Sequence, residues 1–256
     1  MKVIHIAGSS GSGKTTFIGE LLPELGRMAP VATVKHLGHH LYSLEKGKDT
    51  TFFYEKGASL SVGVDDEKAV ITRRGESLSE VLGILSDQGI GFVLIEGFKT
   101  LPLPKIVIGS LETKHCILRD PDIGQVIESL GSFPDFYTIG GLAREITLNP
   151  DKSQNCVLVA VSARICKIKE KNSSHLSDTS AGEACAGIEK WMAGTRDICG
   201  ARLRFHQGTL FRENKEVIHA VITATTIEGA SLVMKTGLDR LRSTLQPFGF
   251  DLEGCV

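Results

Sequence analysis

The amino-terminal sequence reads Val3-Ile4-His5-Ile6-Ala7-Gly8-Ser9-Ser10-Gly11-Ser12-Gly13-Lys14-Thr15, and a helix-like segment, residues 16–22, follows it. A short apolar run, a turn rich in Gly and Ser, and a helical segment therefore stand directly one after another. The turn has the spacing Gly-x-x-x-x-Gly-Lys-Thr, which in this strand-to-helix setting predicts a phosphate-binding loop. Doubly wound nucleotide-binding folds begin in this way.

Each residue type in the loop suits a triphosphate. Glycines let successive backbone N–H groups point inward around an anion, and the following helix turns the positive end of its dipole to the same anion. A side chain on Gly11 or Gly13 is expected to obstruct that wrap. Lys14 is predicted to reach the β and γ phosphates, and the Thr15 hydroxyl to ligate Mg²⁺. The predicted nucleotide-binding residues are Gly8, Ser9, Ser10, Gly11, Ser12, Gly13, Lys14, Thr15 and Thr16.

The composition narrows the class of protein. The chain has 256 residues, 41% hydrophobic and 23% charged, which is ordinary for a globular protein of one large or two smaller domains. A formal net charge of −1 provides no basic field that would attract nucleic acid or a membrane surface, so neither partner is expected. No apolar run approaches the roughly 18 residues of a membrane helix, and the first residues predict a strand instead of a signal peptide. We therefore expect a cytoplasmic protein.

The cysteines carry no metal or redox signature. None of the six forms the Cys-x-x-Cys spacing of a zinc site or a redox pair. Disulfides are rare in the cytoplasm, so all six are predicted to be reduced thiols. They are Cys116, Cys156, Cys166, Cys185, Cys199 and Cys255.

Charged residues follow the second predicted strand. Residues 30–34 form that strand, and the order strand, helix, strand implies a parallel unit. Lys35-His36 then lies at the carboxyl end, where open α/β sheets place ligand contacts, so Lys35 is either an anion contact or a solvated lysine. Asp49 also has two interpretations. It either caps a helix over residues 50–56 or helps to hold Mg²⁺.

A third predicted strand delivers a carboxylate to the same edge. Four apolar residues, 92–95, end in Glu96, as expected for a central parallel strand. Glu96 is predicted to position Mg²⁺ or the attacking water, and with Lys14 it forms the candidate catalytic set. Its alternative is a plain strand-ending glutamate. The prolines after it are predicted to hold Lys99 and Lys105 near this edge, as contacts to an anionic substrate or as solubilising lysines.

The remaining chain divides in two. A hairpin is predicted over residues 59–64 and 68–73, a helix over 76–86, and a less regular region that closes at Gly140-Gly141. The polar stretch 149–155 predicts a boundary between a domain of residues 1–150 and one of residues 151–256. The first is predicted to be a P-loop NTPase-type α/β domain with a parallel-rich sheet and helices on both faces. The second is predicted to be a smaller α+β domain with strands at 156–163, 200–205 and 216–224, a mobile segment at 169–180, and helices at 182–193 and 228–245.

The first 150 or so residues resemble the molybdopterin-guanine dinucleotide biosynthesis protein B family. Four ordered motifs carry the resemblance: the loop at residues 8–16, Lys35-His36, Gly47-Lys48-Asp49-Thr50 with Gly57-Ala58, and Ile95-Glu96-Gly97-Phe98-Lys99 with Pro104-Lys105-Ile106. The resemblance implies a homodimer that binds GTP and Mg²⁺, hydrolyses GTP weakly and assists the nucleotidyltransferase attaching GMP to the pterin of the molybdenum or tungsten cofactor. Molybdopterin or its guanine dinucleotide is then an expected ligand. The preference for GTP comes from the resemblance alone, because the chain has no Asn-Lys-x-Asp motif for guanine.

The tail, from about Ala186, is similar to the large, catalytic subunit of molybdopterin synthase. The similarity lies in Phe205-His206-Gln207-Gly208-Thr209-Leu210, in residues 216–225 and in Gly229-Ala230. That family acts on its substrate with lysines in and just after its last helix, whereas residues 241–250 here contain Arg242 and no lysine. Arginine stays protonated and is a poor covalent or proton-accepting group. We expect a tail without synthase catalysis that serves binding or dimerisation, with the synthase small subunit as a candidate partner.

Other functions fit the same loop. A small-molecule kinase would use Arg73, Arg74 and Arg119 to clamp the transferred phosphoryl group, although no arginine-rich lid is evident. A scaffold would use the nucleotide only to order its structure. A metal-inserting GTPase fits less well, because His39-His40 is the nearest approach to a metal-binding segment and two adjacent histidines in a polar loop are usually solvated.

Overall fold

The computed structural model of this chain describes residues 1–37, 43–75, 77–147, 156–167, 178–211 and 216–253. The strands are β1 (Lys2–Gly8), β2 (Val31–Lys35), β3 (Leu60–Val64), β4 (Ala69–Arg73), β5 (Phe92–Glu96), β6 (Lys105–Ile108), β7 (Cys116–Arg119), β8 (Val157–Lys167), β9 (Ile198–Gln207), β10 (Glu216–Ala224) and β11 (Phe250–Glu253). The helices are α1 (Lys14–Gly26), α2 (Asp49–Glu55), α3 (Leu78–Asp87), α4 (Ile123–Glu128), α5 (Ile139–Thr147), α6 (Asp178–Ala193) and α7 (Ile227–Leu245).

The first sheet contains five parallel strands in the order β2-β5-β1-β6-β7. Its central strands are continuous apolar runs because both of their faces are buried. Ile4 and Ile6 of β1 pack with α1 and α4 on one face, while Val3 packs with α3 on the other. The prediction of an α/β P-loop NTPase-type fold with helices on both faces is therefore confirmed.

The hairpin stands apart from this sheet. Strands β3 and β4 pair antiparallel as a separate two-stranded sheet, as predicted, and α2 packs beside β3. Helix α3 follows after a capping box, in which Ser77 accepts a hydrogen bond from the backbone N–H of Glu80 and the Glu80 carboxylate accepts one from that of Ser77. This reciprocal pair satisfies two backbone donors at the helix start.

The tail forms a four-stranded antiparallel sheet in the order β11-β8-β10-β9. Helices α6 and α7 cover one face, and α5 packs on the other, where Leu142 and Ile146 meet Val221. Phe136 lies edge-on to both His206 and Phe211, at 4.8 Å and 4.9 Å between ring centroids, so the two halves also meet through aromatic rings. The boundary predicted at residues 149–155 and most of the segment predicted to be mobile lie outside the described residues. The domain limits stay a prediction.

The less regular region predicted to close at Gly140-Gly141 ends at residue 138, and the two glycines lie in the first turn of α5. A Cβ on Gly140 would stand 2.4 Å from Asp87 Oδ1, and one on Gly141 would stand 2.7 Å from Ser86 Oγ. The two glycines therefore let α5 approach the end of α3 closely, a tertiary packing role that the sequence does not show.

The prediction that every cysteine is reduced is also wrong. Cys156 and Cys199 form a disulfide that joins the starts of β8 and β9, the two neighbours of β10, across 43 residues of sequence. Spacing along the chain cannot show a bridge between strands. Cys116, Cys166 and Cys185 are free thiols, and Cys255 lies outside the described residues. In the ranges given above, no helix has the length and apolarity needed to cross a membrane.

Two fully buried polar side chains fasten the segment between β5 and β6. His5 Nε2 donates to the Gly97 carbonyl at 2.6 Å, and Lys105 Nζ donates to the carbonyls of Lys99 at 3.1 Å and Leu101 at 2.7 Å. Burial lowers the pKa of His5 to about 4, so this imidazole is neutral at physiological pH. The segment that follows Glu96 is thus held against the sheet by groups beneath it.

This burial predicts a pH-dependent stability. Between pH 6.5 and about 4 the unfolded chain protonates His5 and the folded chain does not, so stability falls as the pH falls through that window. From pH 7 to pH 5 the loss is about 2 kcal/mol from this group. Urea denaturation at both pH values should show that wild type loses about 2 kcal/mol more than His5→Asn, which carries no titrating group. Equal losses in the two proteins would contradict the assignment.

Candidate functional site

The loop between β1 and α1 has the shape that the sequence predicts. Gly11 has φ 74° and Gly13 has φ 91°, both in the left-handed region, and Gly13 is the N-cap of α1. A Cβ on Gly8 would lie 2.3 Å from the carbonyl oxygen of Ile108 at the end of β6. At Gly11 and Gly13 an added Cβ would meet no atom of the chain within 4 Å. Glycine is therefore required for space at position 8 and for backbone conformation at positions 11 and 13.

Lys14 lies over the loop. Its Nζ donates to the carbonyl oxygen of Ser9 at 2.6 Å and to Ser12 Oγ at 3.4 Å. Thr15 and Thr16 are exposed at the start of α1, a helix of 13 residues with no acidic residue in its first turn. An ammonium over the loop and the N-terminal backbone donors of α1, with two exposed hydroxyls at the helix start, suit an anion.

Glu96 stands at the carboxyl edge of the sheet, as predicted. It pairs in register with Ile6 of β1 on one side and with Lys35 of β2 on the other. Glu96 Oε2 lies 3.3 Å from Lys35 Nζ, and the glutamate side chain is 15% exposed whereas the lysine is 57% exposed. A largely buried carboxylate is thus partnered by a mostly exposed lysine, and the role of Lys35 as an anion contact stays a prediction.

The structure adds an aromatic pair that sequence reasoning missed. The ring of His36 stacks on Phe98 with 4.2 Å between centroids and an interplanar angle of 25°. Phe98 adopts φ 45° after Gly97 at φ 94°, and the His36 backbone N–H donates to the Glu96 carbonyl at 2.9 Å. This pair joins the residue after β2 to the turn after β5. Both residues belong to motifs that the sequence analysis identified, but the sequence does not show that their side chains are in contact.

The other residues predicted to contact ligand or metal differ in where the structure places them. Asp49 is the first residue of α2 and Lys48 is its N-cap, so the cap interpretation of Asp49 is wrong and its role in holding metal stays a prediction. Lys99 is exposed near the Glu96 edge. Lys105 is fully buried at the amino end of β6, and its predicted place at the ligand-binding edge is wrong because backbone carbonyls hold it in the interior. His39-His40 lies outside the described residues.

The residues fit magnesium better than a metal bound by protein ligands alone. Across the part of the chain that the structure describes, no group of three or more His, Cys, Asp or Glu side chains could hold a metal ion. Mg²⁺ typically keeps several waters and takes one or two protein ligands together with phosphate oxygens. Thr15 and Glu96 match that small donor set.

The turns after β6 and β7 line the other side of the loop. From β1 the chain continues to β2 on one side of the sheet, and from β6 it continues to β7 on the other. The boundary between β1 and β6 is therefore the switch point at which open α/β sheets bind ligands. Gly109 has φ 84° and would bring a Cβ within 3.5 Å of Ser12, and its N–H donates to Asp120 Oδ1 at 2.7 Å. Arg119 donates to the Gly109 carbonyl and, at 3.1 Å, to that of Leu111. Arg119 therefore shapes this turn instead of projecting as a free clamp.

A parallel sheet with this strand order and a Gly-x-x-x-x-Gly-Lys-Thr loop at its switch point define the P-loop NTPase class of fold. Residues 3–129 match the family described as molybdopterin guanine dinucleotide synthesis protein B, MobB. Over those residues the chain belongs to the MobB family. The similarity of the tail to the synthase large subunit stays a prediction.

Relatives of the chain have corresponding names. A molybdopterin-guanine dinucleotide biosynthesis adapter protein of Haemophilus influenzae is 37% identical over 110 residues, 41% of this chain and 62% of the relative. A similarly named protein of Methanocaldococcus jannaschii is 38% identical over 132 residues, 50% of this chain and 52% of the relative. The chain thus spans between half and two thirds of their lengths. The crystal structure of Bacillus subtilis MobB is 23% identical, covers 52% of this chain and 99% of its own, and gives a TM-score of 0.42.

Proposed function

We propose that this chain is a GTP-binding adapter of molybdenum or tungsten cofactor biosynthesis. It assists a nucleotidyltransferase that attaches GMP to molybdopterin and acts in the cytoplasm as a homodimer. The observation that carries the proposal is the loop of residues 8–15, which lies at the switch point of the sheet with the Lys14 ammonium over it and the start of α1 behind it. The preference for guanine rests on the names of the relatives, because no described residue identifies the base.

The loop residues act on the triphosphate by position and charge. The backbone N–H groups of the turn hold the phosphate chain, and Lys14 exchanges its contact with the Ser9 carbonyl for phosphate oxygens. Thr15 and Glu96 would hold Mg²⁺, directly or through its waters, and the ion supplies charge neutralisation between the phosphates. Each of these groups is in place before nucleotide arrives.

Hydrolysis is expected to be slow. Glu96 is paired with Lys35, so its carboxylate is held in place but also partly neutralised. Arg119 near the loop is committed to carbonyls of its own turn. None of the described residues assigned above to this site is a glutamine, so Glu96 is the residue proposed to position the attacking water. This arrangement supports a switch-like GTPase more than a fast phosphotransferase.

Arg74 also weighs against a small-molecule kinase. Its guanidinium stacks over Tyr54 at 4.1 Å and donates to the carbonyls of Tyr54 and Ala58. Of the three arginines proposed as a phosphoryl clamp, Arg74 and Arg119 are thus used to support turns.

Glu96→Gln tests the proposed water-positioning role. The amide keeps the size of the side chain but loses the charge, so single-turnover GTP hydrolysis at saturating GTP and Mg²⁺ should fall by about 10- to 100-fold, a larger effect than the loss of GTP affinity that a weaker Mg²⁺ contact causes. Glu20→Gln, an exposed change on α1, should leave both values unchanged. A Glu96→Gln protein that hydrolyses GTP at the wild-type rate would remove Glu96 from the mechanism.

The hairpin supports the proposed homodimer. The register places Leu60, Val62 and Val64 of β3 on one face with Ile71 of β4, and all four side chains are exposed, Val64 by 77% and Ile71 by 64%. Phe52 and Phe53 of the neighbouring α2 are each 54% exposed. The four exposed apolar side chains on this face of the hairpin, with Arg73 opposite Leu60 at one end, are typical of an interface. A second copy is the occupant that the proposed homodimer supplies.

Ile71→Asp should therefore break the dimer. A charge in the middle of the apolar face would be buried without a partner, so sedimentation velocity should show monomers at concentrations where wild type is dimeric. Leu232→Asp on α7 is the matched control, since Leu232 is 67% exposed away from the hairpin. If Ile71→Asp remains dimeric, or if wild type is monomeric, the hairpin is not the interface.

The tail is proposed to bind partners without synthase catalysis. Arg242, in the stretch that corresponds to the lysine-bearing region of the synthase family, donates to Asp251 at 3.0 Å, to Asp239 at 3.3 Å and to the Leu252 carbonyl at 3.1 Å. These bonds tie α7 to β11, a structural role. The nucleotidyltransferase and the synthase small subunit are the proposed partners. A pure scaffold remains the competing proposal, and Lys14→Ala separates the two if cofactor maturation in cells continues after nucleotide binding is lost.

A further inference from the structure

A large cleft lies between the two halves of the chain. Its volume is about 1190 Å³, at or above the size of ordinary small-molecule pockets. From the first half it is lined by Lys2, Pro104 and His115, which lie at the amino ends of β1, β6 and β7. The P-loop follows the carboxyl end of β1. The cleft is therefore separate from the nucleotide site and lies at the opposite edge of the sheet.

One wall of the cleft is β9, the edge strand of the second sheet. The Leu203 N–H points away from β10 and donates to Glu189 Oε2 at 2.7 Å, so the backbone groups of Ala201 and Phe205 point to the same side. Arg202 and Arg204 donate to the carbonyls of Ala201 at 2.9 Å and Leu203 at 3.0 Å. Among the described contacts, the N–H groups of Ala201 and Phe205 have no acceptor. The edge thus offers backbone donors, while the carbonyls of Ala201 and Leu203 already accept from the two arginines.

The two arginines add donors to that wall. Arg204 uses Nη1 for Glu189 and for the Leu203 carbonyl. Arg202 uses Nε for Glu145 and Nη1 for the Ala201 carbonyl, and its Nη1 also lies 3.8 Å from Glu189 Oε1. In the described part of the chain, Arg204 Nε and Nη2 and Arg202 Nη2 have no acceptor. Both side chains are about a third exposed, at 31% and 34%. Uncommitted guanidinium and backbone N–H groups in one place favour an anionic group, a carboxylate or a phosphate.

The facing wall offers a flat ring and a carboxylate. The Arg204 guanidinium carbon lies 6.0 Å from the centroid of the Tyr137 ring, which lines the cleft. Burial raises the pKa of Tyr137, with Asp135 adding to the effect, so the phenol stays neutral. Glu145 Oε2 accepts from Arg202 at 3.2 Å, and Oε1 has no donor among the contacts of the described residues. This wall therefore suits a planar ring that presents N–H donors to a carboxylate.

We propose that this cleft binds a small molecule that joins a 2-amino-4-oxopyrimidine ring to an anionic group. The ring edge presents an N–H and an amino group side by side, which Glu145 accepts, while the anion meets Arg204 and the neighbouring Phe205 N–H. Guanine nucleotides and phosphorylated pterins share this chemistry. The choice of this ring rests on the proposed function in cofactor assembly, whereas the anion preference rests on the cleft alone.

The position of the cleft determines how its ligand would relate to a nucleotide on the P-loop. A ligand here and a triphosphate on the P-loop would be held at opposite edges of one sheet, with no direct contact between them. The cleft is therefore a second binding site in which the adapter holds the pterin substrate or its dinucleotide product. Because Tyr137 and Glu145 come from one half and Arg204 from the other, the ligand would also bridge the two halves.

The test uses the full chain and two soluble probes. Pterin-6-carboxylate is followed by its own fluorescence, and GMP by calorimetry in the Lys14→Ala background, which excludes binding at the P-loop. Arg204→Gln should weaken binding of the occupying probe by about tenfold or more, because charge-assisted hydrogen bonds are lost. Glu145→Gln should weaken it by about threefold to tenfold, since the carboxylate no longer accepts both ring donors.

The controls separate this site from the P-loop and from folding defects. Arg27→Gln, an exposed change on α1, should leave cleft binding within about twofold of wild type. Arg204→Lys keeps the positive charge beside Glu189 and so protects the fold, but it lacks the guanidinium fork and should also lose binding. Lys14→Ala should abolish GTP binding and spare pterin-6-carboxylate, so failure of the proposed GTP site leaves this test intact.

The outcomes decide the occupant. Binding of pterin-6-carboxylate that depends on Arg204 assigns the cleft to the pterin, and Arg204-dependent binding of GMP alone assigns it to the nucleotide part. Either result supports the shared ring chemistry. If neither probe binds at about 1 mM, a concentration that detects even weak sites, the proposal is overturned. Binding that is indifferent to Arg204→Lys and Glu145→Gln overturns it as well.

Discussion

The close approach of Gly8 to the carbonyl of Ile108 is the constraint on which the ligand-binding edge depends. Here β1 and β6 run side by side at the switch point of the sheet, and the chain must leave β1, turn around an anion and enter α1 within a few residues. A side chain at position 8 would separate the two strands at their ends. Because the close contact between Gly8 and Ile108 fixes the start of the loop, Lys14 and Thr15 have fixed positions at the start of α1.

The same sheet also positions the segment that follows Glu96, the other part of the candidate site. His5 and Lys105, both fully buried, hold the segment after Glu96 through its backbone carbonyls, and Glu96 itself is tied to Lys35. A buried lysine or histidine is costly unless its donors are satisfied, and here carbonyl oxygens satisfy them. The carboxylate beside the loop therefore has little freedom to move, which fits a slow switch better than a fast enzyme.

Sequence alone predicts the elements whose signal is local. Residues 92–96 are apolar because both faces are buried, and the P-loop motif carries its own geometry. The same reasoning fails where tertiary contacts decide. The sequence does not show that Gly140 and Gly141 let α5 pack closely on α3, and Lys105 is predicted at the ligand-binding edge although backbone carbonyls hold it in the interior. The Arg204 cluster in the cleft joins residues far apart in sequence, so no motif announces it.

The central claim is that the amino-terminal loop holds a guanine triphosphate with magnesium. Calorimetric titration of the purified full chain with GTP and with ATP, each with Mg²⁺, tests it most directly, with Lys14→Ala as the comparison. The account predicts that GTP binds to wild type more tightly than ATP does and that the substitution abolishes the heat of binding. A wild-type protein that binds neither nucleotide at saturating magnesium, or a Lys14→Ala protein that binds GTP as wild type does, would contradict it.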